Sequence, residues 1–151
     1  MAENNGIKEE TKQYIVVRIG NEQYGIDIQY IDNIVRMQRI TRVPKAQRYF
    51  KGVINLRGEV MPVMSIRLKF DLDDDEITGK TRIIILKLDS QSTVGILVDQ
   101  VKEVVTMEPE NIEKIQSGPE HKSAYLYGVG KHNGELISLL NIVNVIADID
   151  Y

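Results

Sequence analysis

Cysteine and tryptophan are absent from the 151 residues, and histidine (2), phenylalanine (2) and proline (4) are scarce. Without cysteine the chain can hold no disulfide, no thiolate metal site and no sulfur nucleophile, which suits a reducing interior. Two histidines argue against a histidine-built zinc site. An excess of one charge is lacking too: 19 basic residues face 22 acidic ones, a net charge of −3, so no global field draws in nucleic acid or anionic lipid. No apolar run approaches the ~18 residues of a membrane span, and residues 1–13 (MAENNGIKEETKQ) have no apolar centre. They read as a disordered tail on a cytoplasmic protein with neither secretion signal nor membrane insertion.

Catalytic constellations are missing as well. There is no G-x-S-x-G, H-E-x-x-H or G-x-G-x-x-G. Thr78-Gly79-Lys80-Thr81 resembles the end of a phosphate loop, but Asp74 stands where the first glycine belongs. Asp71, Asp73 and Asp75 open like a calcium loop, yet Glu76 replaces its glycine and Arg82 its closing glutamate. His121 and His132 lie in polar, loop-like stretches. With no base, nucleophile or metal site in view, the expectation is a non-enzyme without catalytic residues, metal or cofactor.

What the chain does have is isoleucine (21) and valine (15), far above leucine (10) and alanine (4). β-Branched side chains lose χ1 freedom in helices and pack well on pleated surfaces, so strands should dominate. Candidate strands are residues 14–19, 23–28, 34–40, 52–56 and 60–64, then 82–88, 93–98, 104–107, 126–130 and 135–139. The acidic stretch 71–80 (DLDDDEITGK) reads as a linker between two groups of five.

The two groups are copies. YGIDIQYIDNIV (24–35) recurs as VGILVDQVKEVV (94–105), and FKGVINLRGEVMPVMSI (50–66) recurs as LYGVGKHNGELISLLNI (126–142). Gly25 meets Gly95, Gly52 meets Gly128, and Gly58 meets Gly134. Ile83, Ile84, Ile85 and Leu86 make a strand apolar on both faces, which wants cover on two sides. The pattern predicts an all-β protein with short helices: two five-stranded barrels about a pseudo-twofold, the first lobe with its linker at 14–80, the second with a C-terminal helix at 81–151. Ser65 and Asn141 are positioned to cap the two short helices, and Pro109 to open a further helical turn. Pro62, mid-strand, predicts an edge or bulged strand.

Where the copies differ, something besides folding is at work. The second hairpin carries Asn133-Gly134, the strongest short signal for a type I′ turn; the first has Arg57-Gly58. A left-handed backbone would cost arginine about 1–2 kcal/mol, against the alternative of a longer loop with Arg57 in ordinary conformation. From residues 33 to 58 there are seven basic residues (Arg36, Arg39, Arg42, Lys45, Arg48, Lys51, Arg57) and no acid. Interleaved with Met37, Ile40, Val43 and Pro44, they have the character of a protein interface. A nucleic-acid-binding tandem barrel using 36–57 is the competing reading, with only Tyr49 and Phe50 suited to base stacking.

The centre of the pattern, FKGVINLRGEVMPVMSIRLKF (50–70), with YGIDI before it and VGILVDQV after it, resembles the CheW family of bacterial chemotaxis coupling proteins over nearly all of 14–148. The resemblance implies two SH3-like barrels. It also implies a non-catalytic scaffold linking chemoreceptor cytoplasmic tips to the regulatory domain of the chemotaxis histidine kinase CheA, held at membrane receptor arrays through these partners. Carried over by position, the receptor-facing residues are Ile28, Ile31, Asn33, Ile34, Val101 and Val104, with Asn55, Arg57 and Gly58 of the NLRG motif. The kinase-facing residues are Arg39, Ile40, Thr41, Val43 and Pro44. Many relatives carry a glutamate able to pair with the NLRG arginine where this chain has Asn33, with Asp32 beside it.

Overall fold

Strands that are apolar at every position need a core on each face, and the fold supplies three cores to satisfy them. In the computed structural model, which describes residues 10–89, 92–115 and 123–147, the order is β1 (Lys12–Ile19), β2 (Glu22–Asp27), β3 (Ile31–Arg36), β4 (Phe50–Leu56), β5 (Glu59–Ser65), α1 (Ile66–Lys69), β6 (Arg82–Lys87), β7 (Thr93–Val98), β8 (Gln100–Met107), β9 (Ile112–Lys114), β10 (Leu126–His132), β11 (Glu135–Leu140) and α2 (Ile142–Ile146). One sheet runs β3-β6-β7-β5-β4 and the other β8-β1-β2-β11-β10-β9. Along β6, Ile83 and Ile85 enter a core belonging to the first sheet alone. Ile84 and Leu86, on the opposite face, join a central core between the sheets. β1 divides likewise: Tyr14 and Val16 face the second sheet's own core, while Ile15, Val17 and Ile19 face the centre.

Each sheet curls into a barrel. After β3 the chain returns so that Thr41 exchanges both backbone hydrogen bonds with Val53 of β4, at 2.8 Å each. In the second sheet, β8 is followed by a 3₁₀ turn at Pro109–Asn111, with proline at its start, and then by β9, which pairs with β10. β8 and β9 thus act as one bent strand closing a five-stranded barrel. The strand orders superpose under the internal repeat, so the pseudo-twofold extends to the pairing itself.

The barrels do not divide the chain at residue 80, as the repeat suggested. β2 runs parallel to β11, with Tyr24 opposite Ser138, and β7 parallel to β5, with Gly95 opposite Val63. β1 pairs with β8 and β3 with β6. The opening hairpin of each half therefore completes the barrel made by the later strands of the other half, the geometry of a domain swap within one chain. Similarity between two copies reveals that a unit is repeated but not which copy pairs with which.

Local chemistry accounts for the finer departures. Asp27, buried at the end of β2, accepts the Gln29 N–H at 3.0 Å and sets a single 3₁₀ turn at Ile28–Tyr30. The chain re-enters the sheet at once, so β3 covers Ile31–Arg36 rather than 34–40. Pro62 lies in an interior strand, not an edge. Opposite it, Val53 directs its own N–H and C=O to Thr41, and the pairing of β5 with β7 begins only at Val63, so the missing N–H leaves no gap. Ser65 Oγ accepts from Leu68 N at 3.1 Å and Asn141 Oδ1 from Asn144 N at 3.2 Å, capping α1 and α2 as expected.

Candidate docking surfaces

The residues anticipated to face a receptor fall into two structural groups. Ile31 and Ile34 on β3, and Val101 on β8, are half-buried against the central core. β3 and β8 are the edge strands of their sheets and pseudo-equivalents of each other, so both form the rim of that core. Ile28 and Val104 are exposed, at 38% and 52%. The space between the barrels is filled by side chains, so this is an apolar rim rather than a deep channel. Asn33 turns its Oδ1 onto the N–H of Ile34, at 2.8 Å.

Asn55, Arg57 and Gly58 belong to the β4–β5 hairpin. Asn55 Oδ1 accepts the Gly58 N–H at 3.1 Å, and φ is +55° at Arg57 and +84° at Gly58. The turn is therefore the left-handed kind that the Asn133-Gly134 twin makes at +51° and +78°. Leu56, next to the turn, packs on the core of the first barrel alone. The Arg57 guanidinium is exposed and has no ion pair among the described residues, with Asp32 or with any other acid. No hydrogen bond joins this hairpin to the β3 and β8 rim among the described residues.

The segment anticipated to face the kinase does form a surface. Arg39 and Thr41 are exposed beside half-buried Ile40, and Ile40, Val43 and Pro44 line a cleft of about 690 Å³. Across it stand Phe50 and Leu68. Lys45, at its lip, is held at φ +64°. Sequence reasoning missed the far wall. The acidic linker does not hang in solvent: Asp74 meets Lys51 Nζ at 2.7 Å, and the buried Asp75 carboxylate lies 4.0 Å from the same nitrogen. The Lys51 hydrogen bond holds Asp74 below the usual carboxylate range, whereas burial pushes Asp75 up despite a hydrogen bond from Ser65. The signal was present as two adjacent blocks of opposite charge, 36–57 and 71–76, either of which reads alone as a solvated face.

Behind the linker, Arg67 of α1 grips Asp99 in a fork, Nε to Oδ1 at 2.9 Å and Nη2 to Oδ2 at 2.6 Å. Asp99 also accepts the Gly20 N–H at 2.8 Å, so α1 of one barrel is tied to the β1–β2 turn of the other. Burial acts to raise the Asp99 carboxyl, but the Arg67 and Gly20 hydrogen bonds hold it below the usual range. Lys69 places its ammonium 4.0 Å above the Tyr49 ring and 5.3 Å from that of Tyr125, its pseudo-twofold mate. With Tyr49 under a lysine and Phe50 buried, neither aromatic of the basic stretch is free to stack on a nucleic-acid base.

The model of the CheW-like domain matches residues 13–150. The chain belongs to the CheW-like family. It is 34% identical over 138 residues to the chemotaxis protein CheW of Bacillus subtilis, covering 91% of this chain and 87% of that protein. The corresponding Helicobacter pylori protein is 33% identical over 138 residues, covering 91% and 83%. Among solved structures, the scaffolding protein TtCheW of Thermoanaerobacter tengcongensis superposes with a TM-score of 0.80 at 27% identity, covering 87% of this chain and 90% of that one. The CheW-like fold agrees with the barrel pair reached from the repeat and the strand pairing. No helix among the described residues is long and apolar enough to cross a membrane.

Proposed function

We propose that this chain is a non-catalytic adaptor of bacterial chemotaxis that couples chemoreceptor cytoplasmic tips to the regulatory domain of the histidine kinase CheA. The observation that carries the reading is the CheW-like match across residues 13–150, joined to the 0.80 superposition on a scaffolding protein. An amphipathic receptor helix is suited to the apolar rim of Ile28, Ile31, Ile34, Val101 and Val104, by helix-in-groove packing. The kinase is assigned to Arg39, Ile40, Thr41, Val43 and Pro44, where apolar anchors sit amid cations. Arg57, with Asn55 and Gly58 holding its turn, is assigned to coupling, together with Asn33 on β3. Adaptor action then requires only that occupancy at one surface bias the arrangement at the other. Membrane association comes through the partners.

Val104→Asp is the cleanest probe, because Val104 is exposed and the change leaves the core intact. It should weaken binding of a receptor cytoplasmic fragment by about tenfold or more, with kinase regulatory-domain binding within about twofold, by calorimetric titration of each. Equal losses at both partners would refute the division of surfaces.

A further inference from the structure

The cleft beside the kinase-facing segment has a charge distribution that specifies its occupant. Ile40, Val43, Pro44, Phe50 and Leu68 give it an apolar floor and wall. Arg42, Lys45, Arg48 and Lys51 line that surface with four cations, and among the described residues Asp74 is the one acid lining it. Lys51 is engaged by Asp74, while Arg42, Lys45 and Arg48 have no ion-pair partner among the described residues. Arg48 acts on Asp74 through space without touching it. The cleft is thus already occupied at one edge by a carboxylate from the segment 71–76, in the sequence DLDDDE.

We propose that this cleft takes an acidic peptide segment bearing apolar side chains, presented by a docking protein, and that residues 71–76 are its built-in competitor. The proposal deepens the kinase-facing assignment above and rests on it for the identity of the donor protein. Tethered a few residues from the cleft, the competitor works at an effective concentration that a partner in solution must exceed. The competitor is also easy to displace. The Asp74 side chain is 63% exposed, and an ion pair in that setting contributes little. Arg67, by contrast, anchors the start of the segment through its Nη1 contact with the Asp73 carbonyl, at 3.4 Å, and the Leu72 N–H to Arg67 carbonyl bond, at 2.8 Å. The Asp74 side chain can swing out of the cleft while the backbone, held by Arg67 and by the buried Asp75, stays in place.

The test uses the full chain and a synthetic peptide copying residues 71–77 (DLDDDEI), titrated into wild type, Asp74→Asn and Asp74→Asn with Arg42→Glu and Arg48→Glu. Thermal melting verifies that all three are folded. Asp74→Asn is expected to bind the peptide about threefold or more tighter than wild type, with affinity falling as salt rises, and the charge-reversed variant not to bind. Equal affinity for wild type and Asp74→Asn, or no binding by either, overturns the proposal. So does tighter binding of an oligothymidylate than of the peptide. Titrating the CheA regulatory domain into the same proteins separates the two claims. A peptide result as expected, with no kinase-domain binding by any form, sinks the adaptor reading and leaves the cleft assignment standing. Kinase-domain binding with flat peptide titrations does the reverse.

Discussion

Arg57 and Asn133 occupy the same place in the two halves with nearly the same backbone, φ +55° and +51°. Asparagine tolerates the left-handed region; arginine pays about 1–2 kcal/mol to sit there. Asn55 Oδ1 on the Gly58 N–H holds the turn, but the guanidinium itself contacts no acid among the described residues. A strained, exposed cation that the fold does not use is what an external partner would select for. The chain should therefore be stabilised by Arg57→Asn, by about 1 kcal/mol or roughly 2–4 °C in melting temperature. Arg57→Ala keeps the strained backbone and should melt within about a degree of wild type. Both should weaken receptor-coupled kinase activation in a reconstituted assay. A cooperative transition lowered by several degrees in Arg57→Ala would instead make the side chain structural. The oddness of Arg57 was legible in sequence because the duplicated half supplies its control; the turn conformation was not, because Arg-Gly is compatible with a longer loop.

At the scale of elements, the repeated glycines carry more than turns. A Cβ on Gly25 would lie 2.8 Å from Leu139, and one on Gly95 2.8 Å from Ile83, so both mark close packing over strands β2 and β7. Gly52 and Gly128 mark the bulges where β4 and β10 pass beneath the segment that closes each barrel. The twins are not equally tight. A Cβ on Gly52 would stand 2.2 Å from the Thr41 carbonyl oxygen at φ +142°, whereas on Gly128 it would stand 3.0 Å from the Glu113 carbonyl oxygen, with no such backbone strain. Gly52→Ala must break the Thr41–Val53 closure; Gly128→Ala can be absorbed by a small shift of β9. Urea unfolding should show Gly52→Ala losing at least about 2 kcal/mol more than Gly128→Ala. Equal losses would mean that the Thr41 bridge contributes nothing to barrel closure. Periodicity and β-branching placed ten of the strands, and capping residues placed both helices. The short β9, both ends of β3 and the first four residues of β8 escaped, since three residues carry no period and a single side-chain cap at Asp27 decides where β3 begins.

For the whole molecule, the central core is the organising fact. It draws on β1 and β2 from one sheet and β6 and β7 from the other, and both helices seal it, through Ile66 of α1 and Ile142, Val145 and Ile146 of α2. Sequence disclosed the two-sided apolar strands that require such a core, together with the duplication, but not the exchange of hairpins, because either pairing satisfies the same periodicity. The cleft was illegible for a related reason: it needs Lys51 and Asp74 to meet, and charge blocks read one at a time look like solvated surface.

The exchange has a consequence that contiguous lobes would not. Cutting the chain after residue 80 leaves intact only pairings within each half, such as β1–β2, β4–β5, β6–β7 and β10–β11, and severs β1–β8, β2–β11, β3–β6 and β5–β7. Isolated hairpins are marginal in water, so fragments 1–80 and 81–151 should each lack a cooperative melting transition as monomers. Mixed in equal amounts, they should associate one to one and recover the circular dichroism and cooperative melting of the intact chain, since every severed ladder is then available. Pseudo-symmetry opens one further route, in which a fragment supplies both roles by pairing with a second copy of itself; its melting temperature would rise with concentration. Concentration-independent, cooperative melting of either fragment alone is the outcome that the strand pairing forbids.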